Sequence, residues 1–116
     1  MAMDTMLQIA WNNVDHMPEV EETIRTCADR LERHADRMTN LRVVVGLPHR
    51  HQRTGNGYDI RIDVGLKGSE FVVKRGDERS SDDPVVAVRN AFDIVRRKLD
   101  EDHRRVIDAH RTGGDQ

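Results

Sequence analysis

The chain contains a single cysteine, Cys27, among its 116 residues. One thiol excludes an internal disulfide and every zinc site that is built from paired cysteines. It also fits a reducing compartment, where thiols stay free. The sequence therefore predicts a cytoplasmic protein without a disulfide framework.

Aromatic residues and long apolar runs are also scarce. Aromatics make up 3% of the chain, so a core has to be built from Val, Ile, Leu, Met and Ala, which suits a small two-layer domain. No apolar run approaches the roughly 18 residues that a membrane-spanning helix needs. The N-terminal residues MAMDTMLQIAW lack the basic and apolar regions of a signal peptide. These absences predict a soluble protein with no membrane partner.

Neither sign of charge is in large excess, since 19 Lys and Arg face 21 Asp and Glu and the net charge is -2. Proteins that bind nucleic acid through bulk attraction are usually basic, so only the placement of charge can support that function here. Only three of the basic residues are lysines, and arginine is the side chain better suited to bidentate phosphate contacts. The length predicts one domain over residues 1–110, with residues 111–116 as a disordered tail.

Hydrophobic periodicity predicts the elements of the first half of the chain. The short apolar stretch Met6–Ala10 is expected to form a strand. Pro18, which is followed by two glutamates, is typical of a helix start. Apolar residues then recur every three or four positions, so the first helix is expected over residues 18–38. Leu41–Leu47 alternates as a second strand, and Pro48 ends it.

The second half predicts a hairpin and a closing helix. Tyr58–Leu66 alternates more clearly than any other segment, and Lys67-Gly68 is expected to turn the chain into a fourth strand, Glu70–Arg75. Asp83 precedes a proline, which is typical of an N-cap followed by the first helical position. The apolar period that starts there predicts a helix over residues 84–107.

The element order β-α-β-β-β-α predicts an α+β fold, a two-layer sandwich of one four-stranded sheet with both helices on one face. Double-stranded-RNA-binding domains are similar in this respect, although a shared fold does not establish function. The other face of the sheet is expected to see solvent; it carries Arg42, Val44, Asp59, Arg61 and Asp63.

Arginines are segregated on both predicted helices. A projection at about 100° per residue places Arg30, Arg33 and Arg37 on one flank of the first apolar stripe, with acidic residues on the opposite flank. On the second helix four arginines follow one flank: Arg89, Arg96, Arg97 and Arg104. If the two flanks face each other, they form a basic groove. The alternative is that both flanks are ordinary solvated faces with i,i+4 ion pairs such as Asp29–Arg33.

The stretch LPHRHQRTGNGYDIRID, residues 47–63, concentrates hydrogen-bond donors before the third strand. His49, Arg50, His51 and Arg53 are suited to phosphate and ribose contacts on a glycine-flanked loop. A solvated hairpin loop is the alternative. A zinc site would need four ligands at matched spacing, and this stretch offers two histidines without a nearby cysteine.

Catalytic motifs are not found in the sequence. The serines lie in predicted turns without a glycine-framed nucleophile motif, and Cys27 falls on the apolar stripe of the first helix, where a thiol is typically inert. GNG and GDERSSDD are too short for a phosphate-cradling loop. We therefore expect a protein that is not an enzyme and has no cofactor.

Three segments together resemble the family of hibernation-promoting factor and ribosome-associated inhibitor A, also called ribosomal subunit interface proteins or sigma 54 modulation proteins. The opening LQIAWNNVDHMPEVEETIRTCADRLERHADRMTNLRVVV is similar to that family's first strand, helix and valine-rich strand. GYDIRIDVGLKGSEFVVKR resembles its central hairpin, and DDPVVAVRNAFDIVRRKLDEDHRR resembles its closing helix. The likeness covers residues 6–107 and is that of a short form without a C-terminal extension.

The resemblance implies binding to the small ribosomal subunit and its ribosomal RNA near the decoding channel, which keeps ribosomes inactive in stress or stationary phase. It implies no small-molecule substrate, and we expect a monomer or weak dimer. RNA contacts would come from the basic residues of both helices, which correspond to Arg30, Arg33, Arg37, Arg89, Arg96, Arg97, Lys98, Arg104 and Arg105. The alternative is a regulatory module that keeps the fold and binds a protein partner.

Overall fold

The computed structural model of the chain describes residues 6–35, 37–47, 57–75 and 83–114. Within these ranges the elements follow the predicted order. They are β1 (Met6–Asn12), α1 (Pro18–His34), β2 (Met38–Gly46), β3 (Asp59–Leu66), β4 (Ser69–Arg75) and α2 (Pro84–Gly114).

The four strands form one mixed sheet in the order β1-β2-β3-β4. β1 runs parallel to β2, whereas β2, β3 and β4 pair in antiparallel fashion. A parallel pair needs a crossover connection, and α1 supplies it. The predicted meander with one crossover is therefore confirmed.

Both helices cover one face of this sheet, as the apolar patterns predict. The core between the layers is aliphatic, and its fully buried side chains include Ile24 of α1, Val43 of β2, Ile62 of β3 and Val88 of α2. The opposite face carries Arg42 and Arg61 exposed to solvent, and Val44 and Asp63 partly so. This alternation is typical of a sheet with one solvated face.

The helix starts follow their local chemistry. α1 begins with Pro18 at its first position and has Glu19 and Glu21 in its first turn, where acidic side chains complement the helix dipole. α2 is capped by Asp83, whose Oδ1 accepts a 2.9 Å hydrogen bond from the Val85 N–H. The predicted N-cap of α2 is confirmed.

Four predicted boundaries are wrong. α1 ends at His34 and not near residue 38, because Ala35 adopts an extended backbone. β2 starts at Met38 and not at Leu41. A register shift between Met38 and Asn40 breaks the alternation, so Met38 is buried although it precedes the alternating run. β1 continues beyond residue 10 to Asn12, which pairs with Gly46.

The fourth wrong boundary is the end of α2. This helix continues beyond residue 107 to Gly114, through four of the six residues that were expected to form a tail. Backbone hydrogen bonds can extend a formed helix beyond the end of its apolar stripe, since propagation adds one bond for each residue fixed.

Candidate nucleic-acid interface

The two helices lie side by side and run in the same direction. Contacts between the two segments involve residues of increasing number in both: Cys27 lies near Arg89, His34 pairs with Asp100, and Arg37 in the turn after α1 pairs with Asp102. A groove of about 460 Å³ opens between them. Its lining residues are Glu22, Thr23, Thr26, Cys27, Arg30, Leu31, Arg89, Phe92, Asp93 and Arg96.

Three arginines converge on this groove, Arg30 from α1 and Arg89 and Arg96 from α2. All three are exposed. Among the residues that the structure describes, no ion pair or hydrogen bond joins them to an acidic side chain. Within the described ranges their donors are therefore available to an anion, and a guanidinium matches phosphate oxygens in a bidentate manner.

Neighbouring arginines are held by carboxylates instead. Arg33 pairs with Asp29 at 2.9 Å, and Arg97 pairs with Asp93 at 3.2 Å. Both are exposed i,i+4 pairs, and such pairs contribute only about 0.5 kcal/mol or less. A phosphate can therefore replace the carboxylate, and Arg33 adjoins Arg30 and Arg96 in a smaller cavity of about 270 Å³.

The floor of the groove is apolar and contains the only thiol of the chain. Leu31 and Phe92 are each 4% exposed, and Cys27 lies half-buried beside them. Burial raises the pKa of Cys27, and the nearby Arg30 and Arg89 guanidinium groups offset part of that rise. The thiol therefore stays protonated at neutral pH and is a poor nucleophile.

Ion pairs between α2 and the end of α1 or the turn that follows it lie at the C-terminal end of the groove. His34 Nε2 lies 2.5 Å from Asp100 Oδ1, and Arg37 Nη1 lies 2.5 Å from Asp102 Oδ2. The hydrogen bond from His34 is the main reason that the pKa of Asp100 is lowered, and the charges of Arg96 and Arg104 act in the same direction. This end therefore presents paired charges to solvent.

The predicted helix flanks meet in part. Arg30, Arg33, Arg89 and Arg96 line adjoining parts of the space between the helices. Arg37 was expected on the flank of α1, but it lies in the turn after the helix because α1 ends at His34.

The remaining predicted contacts are not brought to the groove or lie outside the described part of the chain. The exposed side chains of Arg97, Lys98 and Arg104 do not line it. Arg105 belongs to α2, but its side chain is not described. The loop cluster His49, Arg50, His51 and Arg53 lies outside the described residues, and its role stays a prediction.

The sequence reasoning missed two features of this site. The first is that Cys27 lines the groove, whereas the sequence assigns it to the apolar stripe of α1. A projection at about 100° per residue places Cys27 on the side of that stripe nearest Arg30, and this position was the available signal. The pairs of His34 with Asp100 and of Arg37 with Asp102 span 66 and 65 residues. No local pattern predicts pairs so far apart in the chain.

Metal and membrane alternatives gain no support from the described residues. Within residues 6–35, 37–47, 57–75 and 83–104, His, Cys, Asp and Glu form no group of three that could hold a metal ion. The two histidines of the zinc hypothesis lie outside these ranges. In the described part of the chain no helix is both long and apolar enough to span a membrane.

Comparison with known proteins assigns the chain to a family. Residues 7–107 match the family model described as sigma 54 modulation protein / S30EA ribosomal protein. The chain belongs to this family. The resemblance drawn from the sequence is thereby confirmed. No sequence among the curated proteins matches the chain.

Solved structures share the fold of this S30EA-family chain. A ribosomal subunit interface protein from Coxiella burnetii is 17% identical with a TM-score of 0.65, and the alignment covers 83% of this chain and 94% of that protein. The N-terminal domain of Protein Y from Thermus thermophilus is also 17% identical, with a TM-score of 0.64 and coverages of 81% and 94%. These likenesses confirm the β-α-β-β-β-α fold.

Proposed function

We propose that the protein is a non-enzymatic inhibitor of translation that binds the small ribosomal subunit near the decoding channel. It acts in the cytoplasm, occludes the path of messenger and transfer RNA, and holds ribosomes inactive in stress or stationary phase. The observation that carries the proposal is the convergence of Arg30, Arg89 and Arg96, without acidic partners among the described residues, in a family of ribosome-associated proteins.

The chemistry of the groove is suited to ribosomal RNA. Its arginines offer charge-assisted donors to phosphate oxygens, and placing them together raises the local potential despite a net charge of -2. Affinity that comes from phosphate contacts falls with salt, by about 0.7 to 0.9 logarithmic units of binding constant per tenfold rise in salt for each contact. With three contacts, raising salt from about 50 to 200 mM should weaken binding roughly 20- to 40-fold.

Co-sedimentation with isolated small subunits tests the proposal. The double variant Arg89→Glu, Arg96→Glu should lose association at low salt. The matched control is Arg42→Glu, Arg61→Glu, which makes the same charge change on the opposite face of the sheet and should retain most of it. Failure of the unaltered protein to sediment with small subunits at low salt would refute the proposal.

The protein-partner alternative is favoured by one observation, the acidic residues that intersperse the basic side of α2. Asp93, Asp100 and Asp102 already pair with basic groups of this chain, and such a mixed surface also suits a mixed-charge protein. This alternative predicts that Arg89→Glu, Arg96→Glu leaves small-subunit binding unchanged. The same experiment therefore decides between the two functions.

A further inference from the structure

We propose that the centre of the inter-helix groove is a pocket for one nucleotide, with the phosphate on Arg30, Arg89 and Arg96 and the base over the apolar floor. The inference rests on the proposed function only in taking the nucleotide to be part of an RNA chain. A free nucleoside 5′-phosphate has the same chemistry. It assigns a ligand to the floor of the groove as well as to its charged rim.

The extent of free positive charge limits how much of an RNA chain the groove can hold. Arg89 and Arg96 are seven residues apart in α2, which is on the order of 10 Å along the helix, and Arg30 faces them from α1. Glu22 lies in the lining nearer the start of α1, and Asp100 and Asp102 lie beyond the other end, paired with His34 and Arg37. Asp93 lies between Arg89 and Arg96 in the lining, where Arg97 pairs with it. A basic patch of this length, with acids at both ends, suits one phosphate better than a long run of backbone.

The floor of the groove offers an apolar surface that a phosphate group alone would not contact. Cys27, Leu31 and Phe92 make it apolar, and a volume of about 460 Å³ falls within the range of about 300–1,000 Å³ that is typical of small-molecule sites. Unstacked bases bind to proteins by covering apolar and guanidinium surfaces while polar groups read their edges.

Polar groups that can read a base edge lie at one end of the groove. The exposed Glu22 and Thr26 belong to the lining, and a carboxylate accepts hydrogen bonds from an exocyclic amino group. Thr23 is already committed, since its Oγ1 donates to the Glu19 carbonyl at 2.9 Å. The arrangement therefore places the phosphate among Arg30, Arg89 and Arg96 and the base towards Glu22.

Cys27 makes the pocket directly measurable, because the only thiol of the chain lies in its floor. We would follow alkylation of the folded protein by iodoacetamide at about pH 8.5, close to the ordinary pKa of cysteine. AMP at about ten times its Kd should slow the reaction roughly tenfold, since only the free protein reacts. Ribose 5-phosphate and adenosine at the same concentration should protect much less, because each lacks one half of the ligand.

Matched variants and a second source of nucleotide complete the test. Protection is expressed as the ratio of alkylation rates with and without ligand. Arg89→Gln and Arg96→Gln should abolish protection by AMP. Arg42→Gln, on the opposite sheet face, should keep this protection. Amide chemical shifts of Cys27 and Phe92 on addition of AMP give an independent readout, with Val72 on the other face as reference. Protection by a short oligoadenylate at lower concentrations than AMP would assign the nucleotide to RNA, and the reverse order would assign it to a free nucleotide.

Two results would overturn the pocket. Equal protection by ribose 5-phosphate and AMP would mean an anion site without a place for a base, and no protection by either AMP or oligoadenylate would mean no site on the floor. These results are independent of the proposed function. Small-subunit association without protection of Cys27 would refute only the pocket, and protection without association would refute only the ribosomal function.

Discussion

At the scale of single residues, Asp100 of α2 links the groove to the C-terminal end of α1. Its carboxylate pairs with His34 across the helix interface, and it also lies in the fields of Arg96 and Arg104. The hydrogen bond from His34 and the charges of Arg96 and Arg104 favour the charged carboxylate, so together they lower its pKa below the ordinary value. The ionisation of this one side chain thus makes the free energy of unfolding depend on pH. Its charge also partly offsets that of the groove arginine Arg96.

Replacing Asp100 should therefore change how acid unfolds the protein. A carboxyl group whose pKa is lower in the folded state stabilises the fold above its unfolded pKa of about 3.9, and that contribution is lost as the pH falls through the folded value. The free energy of unfolding of Asp100→Asn should be lower than that of the parent at neutral pH and should fall less steeply below about pH 4.

Urea titrations at a series of pH values measure this difference. Glu21 offers a comparison, because hydrogen bonds from Arg25 and then His16 lower its pKa in the same way. It lies in the first turn of α1, far from Asp100, so Glu21→Gln and Asp100→Asn should have additive effects. Parallel pH curves for Asp100→Asn and the parent would contradict the role assigned to this carboxylate.

At the scale of elements, the sequence predicts what depends on local pattern and misses what depends on neighbours. The alternation of Tyr58–Leu66 predicts β3 to within one residue, and Asp83 predicts the start of α2. The end of α1 is missed because the three- and four-residue period continues through Met38, while the register shift in β2 turns that residue into the core. Such a shift is decided by pairing with β3, which no local pattern encodes.

The turn between β3 and β4 is the element whose backbone demands a particular residue. Gly68 has a φ of +86°, in the left-handed region that costs roughly 1–2 kcal/mol for a residue with a Cβ. Gly68→Ala should therefore destabilise the protein by about 1–2 kcal/mol, measured as a lower midpoint in urea with an unchanged m-value.

Lys67→Ala is the matched control for this turn, because Lys67 precedes the glycine and is exposed. It should leave the urea midpoint nearly unchanged. A Cβ at position 68 would meet no atom within 4 Å, so any loss of stability in Gly68→Ala comes from the backbone conformation and not from a clash. Equal midpoints for Gly68→Ala and the parent would disprove the strain argument.

At the scale of the whole molecule, a net charge of -2 coexists with a basic groove because acids and bases occupy different places. A helical projection predicts which side chains share a flank, and it correctly groups Arg30 with Arg33 and Arg89 with Arg96. It does not predict how far the two flanks approach or which basic side chains form ion pairs with carboxylates of α2. Arg37, in the turn after α1, is such a case, since it pairs with Asp102 of α2.

This arrangement predicts that removing one acid strengthens RNA binding through a particular arginine. Asp102→Asn leaves Arg37 without its carboxylate partner and extends the basic patch beyond Arg96. One additional phosphate contact should steepen the salt dependence by about 0.7 to 0.9 and tighten binding roughly five- to eightfold near 0.1 M salt. Asp63→Asn is the matched control, because it changes net charge equally but frees Arg61 on the opposite face. A salt titration of small-subunit binding measures both variants. Equal gains from the two would mean that net charge alone is responsible. A gain confined to Asp102→Asn assigns the effect to Arg37 and to the helix face of the molecule.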